Sequence, residues 1–449
     1  MSRKIAMMSC LMAAVCLWAT CVLAQSAPRI IRDEEIESTL RILSKPIFEQ
    51  AGISPQTVRF VLVEDDTLNA FVAGGQNIFV HTGLILKTEN PEELIGVIAH
   101  ETGHIALGHL FRGSENADTL SLQALLANVL GVAVAIGTHS SDAGIAISSA
   151  GQTMAFRNIL SHTRTQESSA DQAGVRFLRG AGMTTGGMLS FMEKLGDQEL
   201  LPESQQSQYV RTHPMTQDRI EFLKQATAEQ GPAANASPAL VKLHSRMKAK
   251  LQGYLFPDRA LQDKTDSGDA RYARAIAYYR KGLTDKSLAE LDPLIKAEAH
   301  NPFLHELKGQ ILFESGNVDA AIPEYAKSLE DAPNSSLIRT AYAHVLLEKK
   351  PVVSQTLQTA VSELQKSLNR DPRQVEAQRF MAIAYGKLGS DGLMRLHLAE
   401  SYLLQNNLDF AKREAVLAQK AVPANTAAGQ RVQDILDVIE KRQKDKKKD

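Results

Sequence analysis

The second half of the chain repeats itself every 34 residues, and this period restricts its fold more than any other feature of the sequence. Windows that begin at Gly268, Pro302 and Ser336 align small residues at one position and large apolar or aromatic residues three positions later. The aligned residues are Ala275, Gly309 and Ala343, followed by Tyr278, Leu312 and Leu346. Such recurring positions are typical of tetratricopeptide (TPR) helix pairs. We therefore predict a solenoid of stacked helix pairs.

The repeat continues towards the C-terminus with one change of register, between Pro351 and Ser354. A later window that begins at Gly392 again places alanines, an aromatic residue and a final proline, Pro423, at the expected positions. Three to five helix pairs are expected. A helical bundle without a repeat is the alternative, and the recurring spacing disfavours it.

The first half of the chain mixes short β segments with helices. Thr57–Glu64 alternates apolar and polar residues, which indicates a half-buried strand, and Asn69–Val80 contains Gly74 and Gly75, which predict a hairpin or a bulge. A helix is predicted over residues 33–50. A second helix is predicted from Asn90 to about Arg112, because Asn90 is a good helix cap. The predicted fold class is mainly α, with an α+β unit that contains a small sheet and precedes an all-α TPR solenoid.

The first 24 residues have the three parts of a secretory signal peptide. Arg3 and Lys4 precede an uncharged run, and Ala24 is a suitable cleavage point. We expect export and cleavage; an uncleaved anchor and a lipoprotein attached through Cys21 are the alternatives. All three cysteines of the chain lie within this segment. A metal in the mature chain would therefore be bound by His, Asp or Glu.

Composition suggests where the folded units begin and end. We predict a signal peptide (1–24), an α+β domain (25–230), a linker and connecting helix (231–264), the TPR-like domain (265–425) and a C-terminal helix with a charged tail (426–449). The linker prediction rests on the small, polar sequence GPAANASP that begins at Gly231. The charges balance, with 50 Lys and Arg against 51 Asp and Glu, so nucleic acid is not an expected partner.

The motif HETGH combines His100, Glu101 and His104 on the helix predicted from Asn90. Its spacing puts both imidazoles on one face, one turn apart, where they can bind a single Zn²⁺. Glu101 would lie beside the metal and could take a proton from the attacking water. Two core histidines without a metal are the alternative.

Glu167 is the best candidate for a third ligand, with Asp171 one helical turn later on the same face. One carboxylate could bind the metal while the other orients a histidine ring. Two histidines and one glutamate leave a coordination position open for water, as in thermolysin-type enzymes. His109 misses the metzincin position by one residue, so we expect it on the wrong face, in a packing or supporting role. A pair of solvated acids is the alternative for Glu167 and Asp171.

HETGH, followed by ExxAD at residues 167–171, resembles the gluzincin metallopeptidases of the HtpX and CAAX-prenyl-protease type. Asn69–Gly83 is similar to the strand segment that precedes the zinc helix in this family, and Thr212-His213-Pro214 followed by Arg219 is similar to its later His-Pro motif. With a signal peptide and a TPR tail, the chain resembles the periplasmic BepA-like subgroup. The C-terminal cysteine pair that members of this subgroup can carry is absent.

This resemblance implies a periplasmic zinc endopeptidase in which His100, His104 and Glu167 bind one Zn²⁺ and Glu101 is the general base. His213 would be a fourth ligand that holds the enzyme latent, an oxyanion stabiliser or a helix cap. Arg219 would support the ligands or the oxyanion.

The implied substrates are polypeptides, namely outer-membrane proteins or their assembly machinery, recruited by the TPR domain. The alternative is a TPR-based chaperone or assembly scaffold with a latent metal site. The segment 69–80 could bind an extended peptide if it forms an exposed edge strand. The uncharged stretch 119–141 could touch a membrane surface, but a single crossing would separate His100 from Glu167, so a span is not expected.

Overall fold

The computed structural model describes residues 29–109, 162–196, 201–202, 206–231 and 236–445. The predicted signal peptide, the uncharged stretch 119–141 and the end of the charged tail lie outside the described residues. Within the described ranges, no helix combines the length and the apolar character needed to cross a bilayer.

A four-stranded sheet lies in the first half of the chain, in the order β1-β2-β4-β3. Its strands are β1 (Arg29–Ile31), β2 (Arg59–Glu64), β3 (Ala70–Ala73) and β4 (Asn77–His81). β2 and β4 are parallel at the centre, and β1 and β3 pair antiparallel to them at the two edges. Both predicted β segments are confirmed, and Gly74 and Gly75 form the hairpin turn with φ values of 60° and 91°. The prediction that the first strand is half-buried is wrong, because β2 lies at the centre of the sheet and its residues Phe60–Val63 are all buried.

Seven helices surround this sheet in the described part of residues 29–231. They are α1 (Glu34–Gln50), α2 (Thr82–Lys87), α3 (Pro91–Leu107), α4 (Arg164–Gly180), α5 (Gly186–Gly196), α6 (Gln208–Thr212) and α7 (Gln217–Gln230). A single apolar core joins them to the sheet and also takes in Met247 and Leu251 from the next helix. The predicted helix over residues 33–50 is confirmed, and the Asp33 side chain accepts a hydrogen bond of 2.9 Å from the Ile36 N–H.

The helix that carries HETGH begins as predicted and ends earlier than predicted. Asn90 caps its start, where its side chain accepts a hydrogen bond from the Glu93 N–H. The prediction that it runs to about Arg112 is wrong, because α3 ends at Leu107. Gly108 follows with a φ of 64°, a left-handed conformation that glycine adopts readily and that stops the helix.

The rest of the described chain is helical. After α8 (Pro238–Leu255) and α9 (Pro257–Gln262) come ten consecutive helices. These are α10 (Gly268–Arg280), α11 (Thr284–Ala297), α12 (Pro302–Glu314), α13 (Val318–Asp331), α14 (Ser336–Glu348), α15 (Ser354–Arg370), α16 (Val375–Lys387), α17 (Asp391–Leu404), α18 (Leu408–Ala421) and α19 (Ala427–Asp445). The three predicted repeat windows begin at the first residues of α10, α12 and α14. The predicted fold class, mainly α with one small sheet, is confirmed.

The small residues at the aligned repeat positions allow the helices to pack closely. Ala275 and Ala343 are fully buried. A Cβ atom added to Gly309 would lie 2.8 Å from the Tyr325 ring, so only glycine fits against the neighbouring helix α13. This is the physical reason for the small-residue position in the repeat.

The start of α1 contacts the repeat helices directly. Glu35 accepts a hydrogen bond of 2.6 Å from the Tyr272 hydroxyl of α10, and Glu34 accepts one of 2.7 Å from the Ser335 hydroxyl at the start of α14. Lys250 of α8 forms an ion pair of 2.7 Å with Asp33. The first unit is therefore held against the repeats by buried polar contacts. The domain boundaries stay a prediction.

Candidate metal centre

Helices α3 and α4 cross where glycines remove the side chains between them. A Cβ atom on Gly103 would lie 2.7 Å from the Ala170 carbonyl oxygen, and one on Gly174 would lie 3.3 Å from the Ala99 backbone. The two backbones therefore approach more closely than larger residues would permit. This close crossing brings the HETGH motif next to the ExxAD motif.

Four buried side chains direct donor atoms to one point at this crossing. The Nε2 atoms of His100 and His104 lie 3.1 Å apart, and they lie 3.4 and 3.3 Å from the two carboxylate oxygens of Glu167. His213, which follows α6, places its Nδ1 atom 3.3 Å from His100 Nε2 and 3.1 Å from Glu167 Oε1. All four donor atoms lie within 4.8 Å of one another.

This donor set fits a divalent metal ion. Ligand atoms of a tetrahedral site with bonds of about 2.0–2.1 Å lie about 3.3 Å apart, close to the distances found here. Burial alone would lower the pKa of His100, but Glu167 and Asp171 outweigh it and raise the pKa to about 10. The cluster thus favours a positive charge among these groups, which a metal ion would supply in place of the proton.

Asp171 and Arg219 form the support beneath the donor atoms. Asp171 Oδ1 lies 2.8 Å from His100 Nδ1, and because the Asp171 carboxylate only accepts, the histidine donates from Nδ1 and keeps Nε2 for the cluster. Arg219 is buried and donates to Asp171 from Nε over 2.6 Å and from Nη2 over 3.0 Å. Its Nη1 atom lies 2.7 Å from Glu167 Oε2. One guanidinium therefore forms ion pairs with both acids of the ExxAD motif and offsets part of their charge.

Glu101 lies beside the donor atoms without being one of them. Both of its carboxylate oxygens are buried and form no hydrogen bond within the described residues. Burial raises the pKa of Glu101, although the positive charges of His213 and His100 oppose the shift. Its Oε1 atom lies 3.5 Å from His213 Nε2. A buried carboxylate with unused oxygens and a raised pKa is suited to accept and return a proton.

His213 is held by aromatic packing as well as by the cluster. It is completely buried, it follows the last residue of α6, and its ring stacks on Tyr209 with centroids 4.5 Å apart. The backbone N–H of His213 donates a hydrogen bond of 2.7 Å to the Tyr209 carbonyl oxygen. The ring is thus fixed with one nitrogen towards Glu167 and the other towards Glu101.

Two further histidines complete the surroundings of His104. His109 Nδ1 lies 2.9 Å from His104 Nδ1, and the His162 ring stacks on His104 with centroids 3.8 Å apart. His109 lies outside the donor set and contacts a donor residue, which agrees with the packing or supporting role predicted for it. It does not point away from the cluster as a continuous helix would require, because the left-handed Gly108 turns the chain back towards His104. Sequence reasoning gave no signal for His162, which belongs to no motif.

The strand segment before α3 forms the hairpin described above. β3 is an edge strand of the described sheet, and its side chains are buried. Peptide binding along this edge stays a prediction.

Comparison with known proteins places this site in a family. The profile of peptidase family M48 matches residues 31–227. The chain is 26% identical over 421 residues to a putative beta-barrel assembly-enhancing protease of Vibrio cholerae, with 91% of this chain and 85% of the relative covered. It is 26% identical over 334 residues to the beta-barrel assembly-enhancing protease of Yersinia pestis, covering 72% of this chain and 67% of the relative.

Two solved structures match part of the chain with low scores. MamA from Desulfovibrio magneticus RS-1 is 16% identical and covers 40% of this chain and 99% of its own, with a TM-score of 0.31. YrrB, a TPR protein, is 18% identical and covers 40% of this chain and 89% of its own, with a TM-score of 0.30. Residues 31–227 match the peptidase family M48, and the sequence relatives indicate a metallopeptidase homologous to the beta-barrel assembly-enhancing proteases.

Proposed function

We propose that the protein is an exported zinc-dependent endopeptidase that works in the periplasm. The observation that carries this proposal is the buried convergence of His100, His104 and Glu167 beside a carboxylate, Glu101, whose oxygens are unused within the described residues. Three protein ligands of this kind, two histidines and a glutamate, are those of catalytic zinc sites in peptidases. Zinc bound there would polarise the scissile carbonyl and make a water molecule more acidic.

The chain's own groups supply the remaining chemistry. Glu101 takes the proton of the attacking water and passes it to the leaving amine, and its burial keeps its basicity high enough for this task. Asp171 holds His100 in the tautomer that leaves Nε2 unprotonated. Arg219 keeps Asp171 and Glu167 ionised, because its guanidinium lies within ion-pair distance of both.

His213 would act as a removable fourth ligand. Its Nδ1 distances to His100 and Glu167 are similar to those among the other three donors, which supports a ligand role more than oxyanion binding or helix capping. Four protein ligands would close the site to water, so His213 would have to leave for hydrolysis to proceed. Exchange of His213 for alanine should then raise proteolysis without loss of the metal.

The substrates we propose are polypeptides of the outer membrane or of the machinery that assembles it. This step rests on the relatives, which are named beta-barrel assembly-enhancing proteases. The TPR-like helices would recruit these proteins. Contact between the stretch 119–141 and a membrane surface stays a prediction.

The test compares Glu101→Gln with wild type in metal content and in cleavage of casein. The variant should retain the metal, because Glu101 is not a donor of the cluster, and should lose cleavage by at least about 100-fold, as expected for loss of a general base. Glu89→Gln is the matched control, since Glu89 is exposed and pairs with Lys194. Cleavage by Glu101→Gln at the wild-type rate would refute the role of Glu101.

The second candidate is a chaperone or assembly scaffold with a latent metal site. The observation in its favour is that His213 completes a set of four protein donors. This candidate predicts that Glu101→Gln restores envelope integrity fully in a strain that lacks the gene. Failure of that variant, with rescue by wild type and Glu89→Gln, would support the peptidase.

A further inference from the structure

A cavity of about 860 Å³ lies between the first unit and the repeat helices. One wall is formed by β1 and the start of α1. The other wall is formed mainly by α12, α14 and α16. None of the donor residues of the metal cluster lines it. The cavity is therefore a separate feature of the molecule.

The wall formed by β1 offers a backbone edge. β1 pairs with β2 on one side only, and no other described strand pairs with its second side. Alternate residues of an antiparallel strand direct their N–H and C=O groups away from the partner strand. Such an edge can accept another extended segment through main-chain hydrogen bonds.

The opposite wall offers a row of aromatic rings. Phe313, His344 and Phe380 come from α12, α14 and α16 in turn and all line the cavity. The Phe313 and His344 ring centroids lie 4.9 Å apart, and those of His344 and Phe380 lie 4.2 Å apart with the rings stacked. All three side chains are half-buried, so each ring keeps surface for apolar side chains of a ligand.

The charges on the walls favour a basic ligand. Arg29, Arg32 and Lys250 line the cavity but are paired with acids. Among the described residues, no ion pair involves the lining residues Glu314, Glu376 and Arg280. Burial raises the pKa of a third lining glutamate, Glu306, so its charge is not counted. Two unpaired acids against one unpaired base leave a negative balance, which complements lysine or arginine side chains.

We propose that this cavity binds an extended polypeptide segment with alternating apolar and basic side chains, which adds as a strand beside β1 and packs against the aromatic row. The inference goes beyond the proposed peptidase function and does not depend on the metal centre. It assigns to the first unit and the repeats together a site that neither has alone.

The test measures binding of a fluorescent ten-residue peptide of alternating valine and lysine to the full-length Glu101→Gln protein, by anisotropy. We expect binding that is unchanged by a metal chelator, and at least tenfold weaker binding of a valine–glutamate peptide. Hydrogen exchange of residues 29–33 should slow when the valine–lysine peptide binds, because backbone pairing protects the β1 amides.

Phe380→Ala should weaken binding at least tenfold. Phe410→Ala, which removes an exposed ring from α18, is the matched control and should leave binding unchanged. If Phe380→Ala does not fold, His344→Ala replaces it as the test variant of the aromatic row. Any of four results would overturn the proposal. The first two are that a metal chelator abolishes binding, or that Phe380→Ala or His344→Ala binds the peptide as tightly as the parent protein. The other two are that the peptide does not slow hydrogen exchange of the β1 amides, or that no binding is detected at 1 mM peptide. Casein cleavage by the wild type is measured separately, so failure of this site leaves the peptidase test intact.

Discussion

At the scale of single residues, the two histidines of HETGH are held by different partners. His100 donates from Nδ1 to the Asp171 carboxylate, whereas His104 Nδ1 lies 2.9 Å from Nδ1 of a second histidine, His109. A histidine that binds a metal through Nε2 carries its proton on Nδ1, so His109 would accept this hydrogen bond. His109 is then a positioning residue for His104.

The role of His109 predicts a difference between two of its variants. His109→Leu removes the acceptor, and we expect zinc affinity to fall about 10- to 100-fold, as is usual when the partner of a ligand is lost. His109→Asn keeps an acceptor oxygen near the position of Nδ1 and should bind zinc nearly as the wild type does. Competition with a chromophoric chelator measures both affinities.

His162→Phe is the control, because it keeps a ring stacked on His104. If His109→Leu binds zinc as tightly as the wild type, His109 does not position the ligand.

At the scale of elements, the crossing of α3 and α4 determines whether the donors meet. Gly103→Ala would place a methyl group 2.7 Å from the Ala170 carbonyl oxygen and force the helices apart. We expect the free energy of unfolding to fall by about 1–3 kcal/mol. In most helices the same substitution would raise it, because alanine has a higher helix propensity than glycine. The variant should also bind less metal. Urea unfolding and metal analysis measure these effects.

Gly268→Ala is the matched control for this crossing. A Cβ atom there meets only Leu294 at an ordinary 3.8 Å, so stability should be unchanged or higher. Equal stability and equal metal content of Gly103→Ala and wild type would contradict the account of the crossing.

Local features of the sequence predicted the elements better than their ends or their contacts. The spacing within HETGH and the repeat starts at Gly268, Pro302 and Ser336 depend on neighbours along the chain, and they could be predicted. Gly108 is a helix stop signal that the prediction of α3 did not use. The contact of His162 with His104 depends on tertiary packing, and no local feature of the sequence predicts it.

At the scale of the whole molecule, buried charge joins the first unit to the repeats. Glu306 of α12 lies near Lys250, Asp33, Glu34 and Glu35, and its Oε2 atom is buried without a hydrogen-bond partner among the described residues. Burial raises the pKa of Glu306 to about 8, Asp33, Glu34 and Glu35 contribute to the rise, and Lys250 opposes it. The folded protein therefore holds a proton at Glu306 that the unfolded chain releases at lower pH.

This proton makes stability depend on pH in a defined direction. Its contribution is complete below the unfolded pKa near 4.5 and is lost as pH rises through about 8. Glu306→Gln carries no titrating group, so from pH 6 to pH 9 its free energy of unfolding should rise relative to the wild type by about 2–3 kcal/mol. Urea unfolding at both pH values measures the difference. A constant difference would contradict the raised pKa.

The metal centre itself is tested most directly by counting zinc in the full-length protein. Native mass spectrometry of wild type and Glu101→Gln should find one zinc ion per chain, because neither lacks a donor from His100, His104 and Glu167. Glu167→Ala removes one of the three donors and should lose the ion at the same zinc concentration, while circular dichroism reports whether it is folded. Full zinc occupancy in a folded Glu167→Ala protein, or none in the wild type, would contradict the account.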